Sequence, residues 1–65
     1  MRVRVNGVDR ELPEGLTLVS LVLLVGARPD AVAVAHNGEV VPRSQHDRSV
    51  RAGDEIEIIR AVGGG

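Results

Sequence analysis

Apolar and charged residues alternate with period two along Met1-Arg2-Val3-Arg4-Val5, the pattern of a strand with one buried and one wet face. Asn6-Gly7 follows, the pair best suited to a two-residue type I′ hairpin because both central residues need positive φ. A return strand is expected over Val8 to Leu12, and Pro13-Glu14-Gly15 ends it. From Leu16 the period changes. Leu18, Leu21, Val22 and Val25 recur at helical spacing, widened by Val19, Leu23 and Leu24, and predict a helix over residues 16–25. Thr17 is placed to cap it, Leu16 and Leu21 to staple its entry, and Gly26 to end it.

The second half repeats the strand signals. Residues 31–36 are small and apolar on both faces, as in a strand covered on at least one side. Asn37-Gly38 is a second hairpin signal, and Glu39-Val40-Val41 returns until Pro42 stops it. Residues 43–52 are polar and aperiodic and read as a loop. Gly53-Asp54 turns into a last strand, Glu55 to Arg60, whose alternation sends Ile56 and Ile58 inward and Ile59 outward with Glu55 and Glu57. The expected core is Val3, Val5, Leu18, Leu21, Val22, Val32, Val34, Ile56 and Ile58.

The order β-β-α-β-β-β leaves one helix to cover a small mixed sheet of four or five strands. That is the α+β, β-grasp (ubiquitin-like) arrangement. One domain over residues 1–61 is expected, with a glycine-rich tail over 62–65 that nothing pins.

Composition narrows the chemistry. Sixty-five residues without a cysteine must fold on an aliphatic core alone, since neither disulfides nor a thiolate metal site can help. The formal net charge of −1 provides no basic field for nucleic acid, and no aromatic ring is present to stack on bases. The longest apolar run, Leu21 to Val25, is too short to cross a membrane. No signal-peptide pattern opens the chain, so a cytoplasmic setting is expected. There is also no Lys, so covalent chemistry is expected at a terminus.

Other candidates read as structure. His36 and His46 lack metal-ligand spacing and are expected to face solvent, and Arg43, Arg48 and Arg51 read as a solvated loop surface. Glu55 and Glu57 read as surface. Ile59, with Val41 and Val62, forms a candidate docking patch beside the tail.

Two segments carry a resemblance. Ala33-Val34-Ala35-His36-Asn37-Gly38-Glu39-Val40-Val41-Pro42-Arg43 resembles the central strand-turn-strand of the thiamin sulfur carriers known as ThiS. Gly53-Asp54-Glu55-Ile56-Glu57-Ile58-Ile59-Arg60-Ala61-Val62-Gly63-Gly64-Gly65 resembles their last strand and tail. Val5-Asn6-Gly7 and Leu16-Thr17-Leu18 fit the same template. The departures are a helix with few charges and a third glycine, Gly63.

The resemblance implies a non-enzymatic carrier that binds no cofactor itself. A ThiF-like adenylyltransferase would use ATP to adenylate Gly65, with Gly64 and Gly63 threading the tail into its active site. Sulfur from a donor protein would then yield a thiocarboxylate for a ThiG-like thiazole synthase. The sulfur carrier of molybdopterin synthesis and a non-covalent β-grasp adaptor are the alternatives.

Overall fold

The computed structural model describes residues 1–60. The tail glycines Gly63, Gly64 and Gly65, together with Ala61 and Val62, lie outside the described residues, and so does the expected freedom of the tail. Five strands form one mixed sheet: β1 (Arg2–Val5), β2 (Val8–Glu11), β3 (Val32–His36), β4 (Glu39–Val41) and β5 (Glu55–Arg60), in the order β2-β1-β5-β3-β4. The single helix α1 (Leu18–Leu24) packs Leu18, Leu21 and Val22 against one sheet face. This is the expected β-grasp arrangement.

The last strand in sequence is the middle one in space. β5 runs parallel to β1 and antiparallel to β3, with Val34 opposite Ile58 and Val5 opposite Ile56. Val3, Val34, Ile56, Leu18, Leu21 and Val22 are almost wholly buried, so the period-two reading and the Leu18-Leu21-Val22 stripe hold, whereas Leu23 and Leu24, expected to widen that stripe, lie on the solvent side of the helix. Val32 is the exception in the expected core and is only partly buried, because it sits at the strand end beside Arg60. Leu12, Ala27, Val41 and Val50 complete the core.

Both Asn-Gly turns adopt the expected geometry. Asn6 and Asn37 take φ of 51° and 52°, each followed by a glycine at positive φ. Their side chains then do something periodicity does not show. The Asn6 amide accepts from the Ile58 N–H (2.7 Å) and donates to the Ile58 carbonyl (3.3 Å), continuing the β1–β5 ladder where β1 has turned away. The Asn37 side chain accepts from the Glu55 N–H (2.8 Å), while its backbone N–H donates to the Glu55 carbonyl (2.7 Å). The hairpin tips thus grip β5 at two points, Asn37 at its first residue and Asn6 at its fourth.

Seven residues are too few for a helix to hold itself. Its orphan amides are met from outside. Thr17 Oγ1 accepts from the Ser20 N–H (3.2 Å), as the sequence suggests. The Leu18 and Val19 amides donate to the carbonyls of Arg48 (3.0 Å) and His46 (2.9 Å). At the other end Gly26 (φ +85°) closes a Schellman motif, with Ala27 N–H donating to Val22 and Gly26 N–H to Leu23.

The 43–52 segment is therefore more than a polar loop. It begins with a 3₁₀ turn (Arg43–Gln45), bridges Ser49 to Thr17 and buries Val50. It also corrects the expectation for His46, which is 6% exposed. Its Nε2 donates to the Val41 carbonyl (3.1 Å), leaving Nδ1 buried with no partner among the described residues.

Asn6→Asp should keep the turn's φ preference and the Ile58 N–H contact, but set a carboxylate oxygen against the Ile58 carbonyl. A destabilisation of about 1–3 kcal/mol is expected. Urea unfolding measures it, and parental stability would show that the side-chain ladder is dispensable.

Candidate functional site

The helix covers only one sheet face, so the other is open to partners. Facing outward are Arg2 and Arg4 of β1, Glu55, Glu57 and Ile59 of β5, Ala33 and Ala35 of β3, and Val40 of β4. Ile59 stands opposite Ala33, whose methyl group is too short to cover it, and remains 54% exposed. Val40 stands opposite Ala35 and is 71% exposed. The two alanines make a shallow floor between two aliphatic ridges. Towards β2 the face becomes charged, with Arg4 paired to Asp9 (3.0 Å) and Arg2 to Glu11 (3.5 Å). The Asp9 hydrogen bond and charge raise the pKa of the Arg4 guanidinium above its ordinary value.

Ile59 therefore lies where its alternation places it. Val41 does not. It is 3% exposed and opposes Val34 in the core, so the apolar patch is Ile59, Val40, Ala33 and Ala35. A two-residue turn at Asn37-Gly38 pairs residue 36 with 39, 35 with 40 and 34 with 41. That arithmetic turns Val41 inward with Val34. Val62, the third residue of the expected patch, lies outside the described residues.

At the start of β5 lies a polar cluster that no periodicity or motif predicts. His36 does not face open solvent. Its side chain is 10% exposed and its Nε2 donates to Asp54 Oδ2 at 2.7 Å. The same carboxylate accepts from the Arg51 N–H (2.8 Å) and the Asn37 amide (3.2 Å). Burial works to raise the Asp54 pKa, but the bonds from His36, Arg51 and Asn37 outweigh it and hold the carboxyl below its ordinary range. A His–Asp pair invites a catalytic reading. However, β5 places it six residues, roughly 20 Å, from the root of the tail. It braces the Asn37 turn against the entry to β5. Arg48 is likewise engaged, with Glu39 at 3.1 Å.

Among the described residues no three His, Cys, Asp or Glu side chains group as a metal site, and no helix is long and apolar enough to cross a membrane.

A β-grasp domain with an open outer face, and a central last strand that leads directly into a glycine-rich segment, defines the class. The ThiS family model matches residues 3–65. The chain belongs to the ThiS family. It is similar to the thiamine biosynthesis protein (ThiS) of Geobacter metallireducens, whose crystal structure matches with a TM-score of 0.84 and 35% identity over 100% of both chains. A solution structure of a thiamine biosynthesis protein from that organism matches with a TM-score of 0.81 and 33% identity, covering 100% of this chain and 88% of the other. The whole chain is also 35% identical, over 66 residues, to part of the thiazole synthases of Paramagnetospirillum magneticum and Magnetococcus marinus. It spans 20% of the length of each.

Asp54→Asn should destabilise the domain by about 1–2 kcal/mol at neutral pH through lost charge-assisted hydrogen bonds. Because the folded pKa is lowered, this contribution is complete above the unfolded carboxyl value of about 3.9 and is lost as pH falls through the folded value. The gap between parent and variant in urea unfolding should accordingly close below about pH 4. A gap that persists unchanged in acid would show that the carboxylate charge is not what holds the brace.

Proposed function

We propose that this chain is a sulfur carrier of thiamin biosynthesis, acting through the carboxyl group of Gly65 and performing no catalysis itself. The observation that carries this reading is the ThiS match across residues 3–65, which includes the glycine-rich end as well as the folded body. In the proposed cycle a ThiF-like adenylyltransferase directs the Gly65 carboxylate onto the α-phosphate of ATP, releasing pyrophosphate. Hydrosulfide released by a donor protein attacks the acyl carbonyl and expels AMP, and the resulting thiocarboxylate supplies thiazole synthase. That last partner is supported by the relatives in which a stretch like this whole chain forms 20% of a protein called thiazole synthase.

The residues suit these roles. A carboxylate resists nucleophiles until adenylation gives it a leaving group, and a glycine carbonyl has no Cβ to obstruct the attacking sulfur. Gly64 and Gly63 let the backbone enter a slot that a side chain would block. The folded body supplies recognition, and its outer face at Ile59 and Val40 is the proposed docking surface for the adenylyltransferase. Cytoplasmic ATP-dependent chemistry is the setting this reading requires.

The direct test is an intact mass of the protein purified from its own cells. One oxygen replaced by sulfur at Gly65 is the expected result, and a mass with further residues after Gly65 would overturn it. Deleting Gly65 should set the carboxylate back by roughly 3.3–3.6 Å. In-line attack needs atoms within about 3–3.5 Å, so ATP–pyrophosphate exchange should nearly vanish while the melting curve stays parental.

Ile59→Asp tests the docking face. It should raise the carrier KM in that exchange by roughly tenfold without unfolding the domain. An unchanged KM would move the docking face elsewhere.

A further inference from the structure

The helix is too short to cover the whole inner face, and what it leaves bare is the edge strand. Val8 and Arg10 of β2 stand opposite Val5 and Val3 of β1, and so belong to the core side of the sheet. Leu12, farther along the same row, is 6% exposed, yet Val8 is 58% exposed. Between β2 and the helix end runs an open groove of about 230 Å³. Val5, Val8, Val25 and Ile58 wall it, and the guanidinium-bearing side chains of Arg10 and Arg60 border it. Arg60 reaches this side because it follows Ile56 and Ile58 in alternation.

The groove is electrostatically one-sided. Among the described residues no acidic side chain lines it, nor the adjoining hollow that shares Ala27 and Arg60 and adds Arg28. Among the described residues the ion pairs take in Arg2, Arg4, Arg28 and Arg48, but neither Arg10 nor Arg60. In a chain with more acidic than basic residues, this is a local reversal of charge. Asp54 and Glu55 lie at the far end of β5 from Arg60 and level with Arg10, but the Asp54 carboxylate is engaged by His36, Asn37 and Arg51, and Glu55 faces the outer side of the sheet. Arg60 is also the last described residue before the glycine-rich segment, so a protein that holds the end of that segment comes within five residues of chain of the groove.

We propose that this groove is a second docking site on the adenylyltransferase side, distinct from the outer sheet face. It takes a partner segment in which an apolar side chain neighbours a carboxylate. The apolar group covers Val8 and Val25, and the carboxylate sits between Arg10 and Arg60. A bare phosphate would leave the valine walls wet, so the groove matches a peptide segment in both its parts. This assignment rests on the carrier reading for the identity of the partner.

Arg10 is the residue to change, because it lies fifty positions before Arg60 in the chain, so its substitution leaves the glycine-rich segment and its neighbours in sequence unaltered. In ATP–pyrophosphate exchange with the purified adenylyltransferase, Arg10→Glu should raise the carrier KM about tenfold or more and leave kcat within about twofold, as expected for lost docking rather than lost chemistry. Arg10→Gln should fall between, flatten the salt dependence of KM, and serve in place of Arg10→Glu if that variant melts early. Val8→Ser should raise KM independently. Exchange by the parent with an unchanged KM for both Arg10 variants overturns the groove alone. A parent that supports no exchange overturns the carrier reading and this partner with it. Self-association of the parent that Arg10→Glu abolishes would assign the groove to a second copy and also overturn the proposal.

Discussion

The register of β5 is the constraint on which the rest of this domain depends. β5 is flanked on both sides, parallel to β1 and antiparallel to β3, and it supplies Ile56 and Ile58 to the core. A slip of one residue would turn both isoleucines to solvent and bury Glu55, Glu57 and Ile59. The two asparagine turns oppose that slip at separate points, Asn37 at Glu55 and Asn6 at Ile58. Hydrogen bonds of this kind are individually modest. Their effect is positional, because they pin the strand that leads into the glycine-rich segment.

The helix depends on that sheet and on a segment with no regular period. Its first two amides donate to backbone carbonyls between residues 46 and 48, so the polar stretch after β4 does the work of a cap. His46 and Val50 anchor that stretch from beneath. A 65-residue chain without disulfides has little core to spare, and here a loop is recruited as part of it.

What could be read from the residues was local. Alternation located the strands, leucine and valine spacing located the helix, and Asn-Gly located both turns, since each signal lies within a few positions. The side-chain grip of Asn6 on Ile58 spans 52 positions, and no periodicity reports a contact of that separation. His36 and Asp54 are 18 apart and meet only because β3 and β5 are neighbours. The misplacement of Val41 is of a different kind. Its inward direction follows from counting back across the two-residue turn to Val34, a signal present in the sequence. His46 carried no such signal, as it lies in a stretch where neither period applies.

The same strand explains how one small domain can offer separate surfaces around one tail. Alternation along Glu55–Arg60 sends Ile59 to the outer face and Arg60 to the inner one, so the last two described residues point to opposite sides of the sheet. The outer surface is aliphatic, resting on two alanines, while the inner groove joins valines to arginines. Surfaces of such different chemistry select different complements. A protein that grips both would clasp the end of β5 from the two faces of the sheet and fix the direction in which the segment leaves. In the proposed cycle orientation matters because five residues separate Arg60 from the Gly65 carboxylate. Fully extended, five residues reach roughly 17 Å, and only a small part of that range brings the carboxylate within reach of a phosphate.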